Sequence, residues 1–129
     1  MNQNSYKIIT NNPLVLKKLD KAHDVIFHEI SYEEILREVR DRIHEGHRLL
    51  SHPLSGSVKP NETPYKSILI TKGKEMRLDL KSLELIENAI LACAKFHFKT
   101  DTYTSETYED FQLIDWTLLE SGLEAADVW

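Results

Sequence analysis

The stretch His52-Pro53-Leu54-Ser55-Gly56-Ser57-Val58-Lys59-Pro60-Asn61-Glu62-Thr63-Pro64-Tyr65-Lys66 divides the chain. It holds three of the four prolines and one of the four glycines. Leu49-Leu50 precede it, and Ser67-Ile68-Leu69-Ile70-Thr71 behind it has the composition of a strand. A loop this long inside a small domain is usually either functional or disordered. A disordered linker would be polar throughout, whereas this one is stiffened by proline and carries Leu54, Val58 and Tyr65 as apolar anchors. It reads as an ordered surface loop, and the elements on either side of it decide the fold.

Working back toward the start, Ser31-Tyr32-Glu33-Glu34 forms a capping box, in which the Ser31 hydroxyl and the Glu34 carboxylate satisfy each other's free amides. Ile35, Leu36, Val39 and Ile43 then recur at helical spacing, and Gly46 is placed to close the helix in a left-handed turn. Tyr6–Thr10 and Asp24–Ile30 read as strands, and Asn12-Pro13 starts a short helix between them. His47–Ser51 is a weak third strand running into the loop, and Lys66–Thr71 a fourth. Beyond the loop, Asp79 to about His97 is the longest helix, with Leu80, Leu83, Ile86, Ile90 and Cys93 on one face. Ser105 opens a last helix, with Tyr108, Phe111, Ile114–Asp115 and Leu118 on one side, ending near Gly122.

Strands alternating with helices imply parallel pairing. The expectation is a single α/β domain over residues 1–129, with an acidic helical segment from about residue 101. Its architecture would be a small three-layer-like sandwich: a mostly parallel sheet of about four strands with helices packed on it. Ligands of such sheets bind beyond the carboxyl ends of the strands. Thr10, Asn11 and Asn12 after the first strand and the 52–66 loop after the third would then share one crevice.

Composition narrows the function classes. With 41% hydrophobic and 29% charged residues the chain reads as an ordinary soluble protein. Its one cysteine, Cys93, points to a reducing, cytoplasmic setting. Neither a signal-peptide pattern nor a membrane-length apolar run is read. A net charge of −5 argues against a nucleic-acid binder. The charge is uneven: Arg48, Lys59, Lys66, Lys72, Lys74 and Arg77 face only Glu62 and Glu75 between residues 46 and 77, whereas residues 101–129 hold eight acidic residues and no Lys or Arg. A locally basic loop in an acidic protein suits a small anion better than a polyanion.

The candidate site gathers Thr10, Asn11, Asn12, His52, Ser55, Gly56, Ser57, Lys59, Asn61, Thr63 and Lys66. Ser55-Gly56-Ser57 offers backbone amides to an anion, with Lys59 or Lys66 supplying charge and the first helix adding a partial positive end. The alternative is a plain surface turn. Neither a P-loop nor GxGxxG is present, and no cofactor is expected. His44, His47 and His52 fall short of the convergent set a metal needs, so no metal is expected. His52 beside Ser55 and Ser57 resembles pieces of a hydrolase without the nucleophile-elbow pattern; a histidine bonded to its own loop is the simpler reading. Cys93 sits in an apolar stripe as inert core. Trp116 and Trp129 exceed what one packed face needs and could mark a partner surface.

The central stretch His52–Ser67, together with Ile9-Thr10-Asn11-Asn12-Pro13 near the start, resembles the GrdX family. Those are small proteins encoded beside the glycine, sarcosine and betaine reductase genes of amino-acid-fermenting anaerobes. The resemblance implies a cytoplasmic accessory role near those reductases and brings no catalytic residues with it. Three functions follow for comparison. One is a module binding a small anionic ligand at the 52–66 loop; another is an assembly protein docking on a reductase component through its acidic last helix. The third is a small enzyme using His52 as acid or base.

Overall fold

The computed structural model describes residues 5–19, 23–54, 62–96 and 103–128. Three strands form the sheet: β1 (Tyr6–Thr10), β2 (Asp24–Phe27) and β3 (Ser67–Thr71). Around it lie α1 (Pro13–Lys18), α2 (Tyr32–His44), α3 (Leu80–Cys93) and α4 (Ser105–Val128). The strand order is β2-β1-β3, with β1 parallel to β2 and antiparallel to β3. The sheet is therefore mixed and three-stranded, not a mostly parallel sheet of about four.

The missing strand has a physical cause. Leu49 makes an isolated antiparallel bridge to Ile70, but the ladder does not extend. Leu50 N still donates to Leu69 O and Thr71 N to Arg48 O, but the return bonds go to side chains, with Leu69 N donating to Ser51 Oγ and Arg48 N to Thr71 Oγ1. The direction of β3 has a cause as well. Parallel neighbours need a crossover, usually helical, whereas a hairpin-like return does not. The Pro-rich 52–66 loop supplies no helix among its described residues, and β3 comes back antiparallel.

Successive strand residues point to opposite faces, and each face has its own core. Ile9, Ile68 and Ile70 pack with Ile26 against α2 (Ile35, Leu36, Val39, Ile43) and α3 (Ile86, Ala89, Ile90, Cys93). Tyr6, Ile8 and Leu69, one residue out of phase, pack against Val15 of α1 and Leu119 and Leu123 of α4. The result is three layers: α2 and α3, the sheet, α1 and α4.

Local chemistry sets the boundaries. Asn12 caps α1 with Pro13 in its first turn, and Ser31 and Glu34 complete the capping box of α2. Gly46 ends α2 at φ 115°, and a Cβ there would collide with the Glu75 carbonyl. β2 stops at Phe27 rather than Ile30, because Ile30 N turns back onto His28 O. The third helix ends at Cys93, short of the expected His97, which lies outside the described residues. The last helix does not end near Gly122. It runs through to Val128, because Leu119, Leu123 and Ala126 keep burying on the sheet and Gly122 passes close over Leu69.

Candidate functional site

The carboxyl end of β1 meets the amino end of β3 through the pair Thr10↔Ser67. Both side chains fall on the α4 face, where Asp115 comes down to meet them. Ser67 N donates to Asp115 Oδ1 at 3.1 Å and Ser67 Oγ donates to Asp115 Oδ2 at 2.6 Å. Since the Ser67 hydroxyl hydrogen is committed to Asp115, Thr10 Oγ1 must be the donor in its 2.6 Å bond to Ser67 Oγ. Thr10 Oγ1 in turn accepts from Asn12 N at 2.9 Å, and Asn12 Nδ2 donates to Asp115 Oδ2 at 2.9 Å. The four residues form a closed ring with a fixed direction of donation. Burial pushes the Asp115 carboxyl above its ordinary range; the bonds from Ser67 and Asn12 and the charge of Lys66 oppose that shift without cancelling it.

Asn11 ties the same corner to the long loop. Its Nδ2 donates to Ile30 O and Pro64 O, both at 2.8 Å, and its Oδ1 accepts from Lys66 N at 2.8 Å. The loop's closing arm is clamped onto α4 by rings: Tyr65 meets Tyr108 edge-on, Tyr103 packs on Tyr108 and Phe111, and Tyr65 Oη accepts from Gln112 Nε2 at 2.9 Å.

Between this arm, the start of α2 and the middle of α4 opens a small cleft lined by Tyr32, Thr63, Tyr65, Lys66, Phe111, Ile114, Asp115 and Leu118. Its volume, about 20 Å³, suits a water-sized group or the head of a small ligand. The cleft owes its lining to register. Lys66 precedes Ser67 and so turns to the opposite face, with its ammonium 6.0 Å from the centre of the Tyr32 ring. Lys66 is 6% exposed, and Nζ has no hydrogen-bond or ion-pair partner among the described residues. Burial draws its pKa down, and the nearby Asp115 charge pulls the other way. The same burial raises the Tyr32 phenol, which stays protonated as a donor.

The residues expected from the sequence divide into three groups. Thr10, Asn11, Asn12, Thr63 and Lys66 converge at this corner, but only Thr63 and Lys66 line the cleft. Asn11 and Asn12 are buried, and their side-chain groups are spent on the fold. The amino end of α1 is likewise engaged, because Asn12 Oδ1 accepts from Leu14 N. His52 is exposed, outside the cleft lining, and its Nδ1 accepts from Leu54 N at 3.1 Å. Ser55, Gly56, Ser57, Lys59 and Asn61 lie outside the described residues, as do Val58 and Trp129. No group of three metal-ligating side chains converges among the described residues, and His47 is buried with Nδ1 2.7 Å from Thr71 O. Cys93 is 1% exposed, and burial pushes its thiol up to about 11.

Tyr32 and Asp115 were absent from the expected set. Asp115 had a readable signal: it sits among Phe111, Ile114 and Leu118 on the apolar side of its helix. Tyr32 had none, because a residue just inside a capping box reads as part of the helix start.

A family model described as GrdX-like protein matches residues 7–124, most of the chain. The chain belongs to the GrdX-like family. No curated protein and no solved structure matches it. The GrdX-like match runs from within β1 into α4, so the ring of Thr10, Asn12, Ser67 and Asp115 and the cleft beside it lie wholly inside the matched residues. No helix among the described residues is long and apolar enough to cross a membrane.

Proposed function

We propose that this chain is an accessory protein of amino-acid reductase systems that holds a small carboxylate in the Lys66 cleft. Membership of the GrdX-like family supports the setting near glycine, sarcosine or betaine reductases. One observation carries the chemistry: a lysine 94% removed from solvent faces a cleft with Asp115 nearby but no hydrogen bond or contact ion pair among the described residues. A lysine side chain this buried is poorly solvated, and a carboxylate entering the cleft adds the contact partner that Asp115 does not provide. Each charge-assisted hydrogen bond so formed is worth about 1.5–3 kcal/mol. Tyr32, Tyr65 and Phe111 shape the walls, and the cleft's size limits what enters to a small head group. Asp115 faces the same space, so a monoanion fits better than a phosphate dianion.

Thermal-shift and calorimetric titrations with acetate, glycine, sarcosine, betaine and inorganic phosphate test the reading. A carboxylate should bind at or below about 1 mM, more tightly than phosphate, and Lys66→Met should lose that binding. Equal binding of wild type and variant would refute it.

The exposed side of α4 favours a second role. Leu113 is 54% exposed among Glu109, Asp110 and Glu120, an apolar point in an acidic field suited to a basic partner surface on a reductase component. Loss of co-purification with that component on Leu113→Lys, with carboxylate binding kept, would separate docking from ligand binding.

A further inference from the structure

We propose that Lys66 captures a small carbonyl-bearing carboxylate, a 2-oxo acid, as a reversible imine. The proposal deepens the carboxylate-site reading and rests on it. Lysine becomes a nucleophile when an apolar pocket disfavours its charged form. Lys66 meets that condition in its setting. It is walled by Tyr32, Tyr65 and Phe111, has no carboxylate in ion-pair contact among the described residues, and opens onto a cleft rather than onto packed core. Exposed Lys72 and Lys74 differ, each lying beside a carboxylate, Asp24 at 3.8 Å and Glu45 at 3.9 Å.

The step balances without any other reactant. The neutral amine nitrogen of Lys66 attacks the carbonyl carbon, and the C–N bond forms as the carbonyl electron pair moves onto oxygen. The nitrogen gives up one proton as that oxygen takes one, giving a neutral carbinolamine; the oxygen then takes a second proton and leaves as water while the nitrogen lone pair closes the C=N bond. Overall an ammonium and a 2-oxo acid anion give an iminium carboxylate and one water, with no net oxidation. The positive charge survives the condensation, so one lysine serves as both counter-ion and covalent partner. Asp115, which lines the same cleft and whose carboxyl burial raises, is the titratable group placed to give and take these protons. The Tyr32 phenol, kept protonated by burial, is the wall's donor toward the carbonyl or carboxylate oxygen.

The test treats the full chain with pyruvate and sodium borohydride, reads intact mass, and maps the adduct by peptide mass spectrometry. The expected result is a single adduct on Lys66, with a mass gain equal to pyruvic acid less one oxygen atom. Lys66 should be labelled at least about tenfold faster than Lys72 or Lys74. Lactate, which has the carboxylate but no carbonyl, should suppress labelling, and Lys66→Arg should keep lactate binding without forming the adduct. Label spread over the exposed lysines overturns the proposal, as does labelling of wild type that lactate leaves unchanged. Lactate binding without any adduct removes the imine and leaves the carboxylate site standing. Absence of both removes the two together. The lactate comparison needs only wild type, so the test holds even if Lys66→Arg folds poorly.

Discussion

The two faces of the sheet are built on different principles. Toward α2 and α3 lies the larger apolar core, in which Ile9, Ile68 and Ile70 meet both helices, with Ser82 of α3 and Lys66 beside Tyr32 as buried polar exceptions. Toward α1 and α4, a smaller apolar core gives way at the Thr10–Ser67 end to a closed polar ring around a buried carboxylate. The apolar face explains why the chain folds. The polar corner adds a desolvated acid, and Lys66, the neighbour of Ser67 turned to the other face, adds a desolvated lysine; both are costly to bury. A feature that costs stability and sits at a cleft is where function is to be sought.

This contrast can be broken by substitution. Leu36→Ala, on the apolar face, should cost about 2–5 kcal/mol of stability, because the cavity lies in packed core. Carboxylate binding should be unchanged under conditions where the variant is folded. Chemical denaturation with a parallel ligand titration reads both. Asp115→Ala should cost less, about 1–3 kcal/mol, because orphaned donors on Ser67 and Asn12 are partly offset by removal of a buried charge. A larger loss than that of Leu36→Ala would mean that the polar corner, not the apolar face, holds the fold.

Lys66→Met should act in the opposite direction, raising stability by about 0.5–2 kcal/mol while abolishing carboxylate binding. A clear loss of stability would show that the lysine is a structural group. At the small end, Arg40→Ala breaks the 3.3 Å surface pair with Glu87 that links α2 to α3, and should change stability by under about 1 kcal/mol. It is the control that separates buried from exposed charge.

The pH dependence of Asp115 carries a definite sign. Its pKa is raised above the ordinary value near 3.8, so the folded state holds the proton more tightly than the unfolded chain. Its contribution to stability is full below that ordinary value and is lost as pH rises through the folded pKa. Asp115→Asn has no such loss, so its stability relative to wild type should improve as pH is raised from about 4. Denaturation midpoints of the two chains over that range give the difference. A relative decline of the variant with rising pH would mean the carboxylate is stabilised as an anion.

Much of this fold was legible in residue chemistry. Ser31 with Glu34, Asn12 with Pro13, and Gly46 each set a boundary by a local bond or turn that needs no tertiary knowledge. The sheet was misjudged where pairing is nonlocal. His47–Ser51 has strand-like residues and keeps two backbone bonds to β3, but the Ser51 and Thr71 hydroxyls take the return bonds, which no linear reading reveals. Gly122 reads as a stop, yet the helix continues, because burial on Leu69 outweighs a weak local preference. At the site, Lys66 and Thr63 were visible as polar residues at the end of a proline-rich loop. The burial of Lys66 was not, since it depends on β3 register turning residues 66, 68 and 70 to one face. Asn11 and Asn12 looked like a ligand rim because an asparagine that binds and one that braces a corner read alike in sequence.

The reading of the cleft turns on Lys66, a buried lysine beside Asp115 with room for one more carboxylate. Its most direct test is a titration of isotopically labelled protein with lactate, following backbone amide resonances in wild type and Lys66→Met. Shifts are expected to concentrate at Tyr32, Thr63, Tyr65, Lys66 and Asp115, to saturate with a dissociation constant at or below about 1 mM, and to be absent in the variant. Shifts spread over the basic surface around Lys72 and Lys74, or the same response in Lys66→Met, would contradict it.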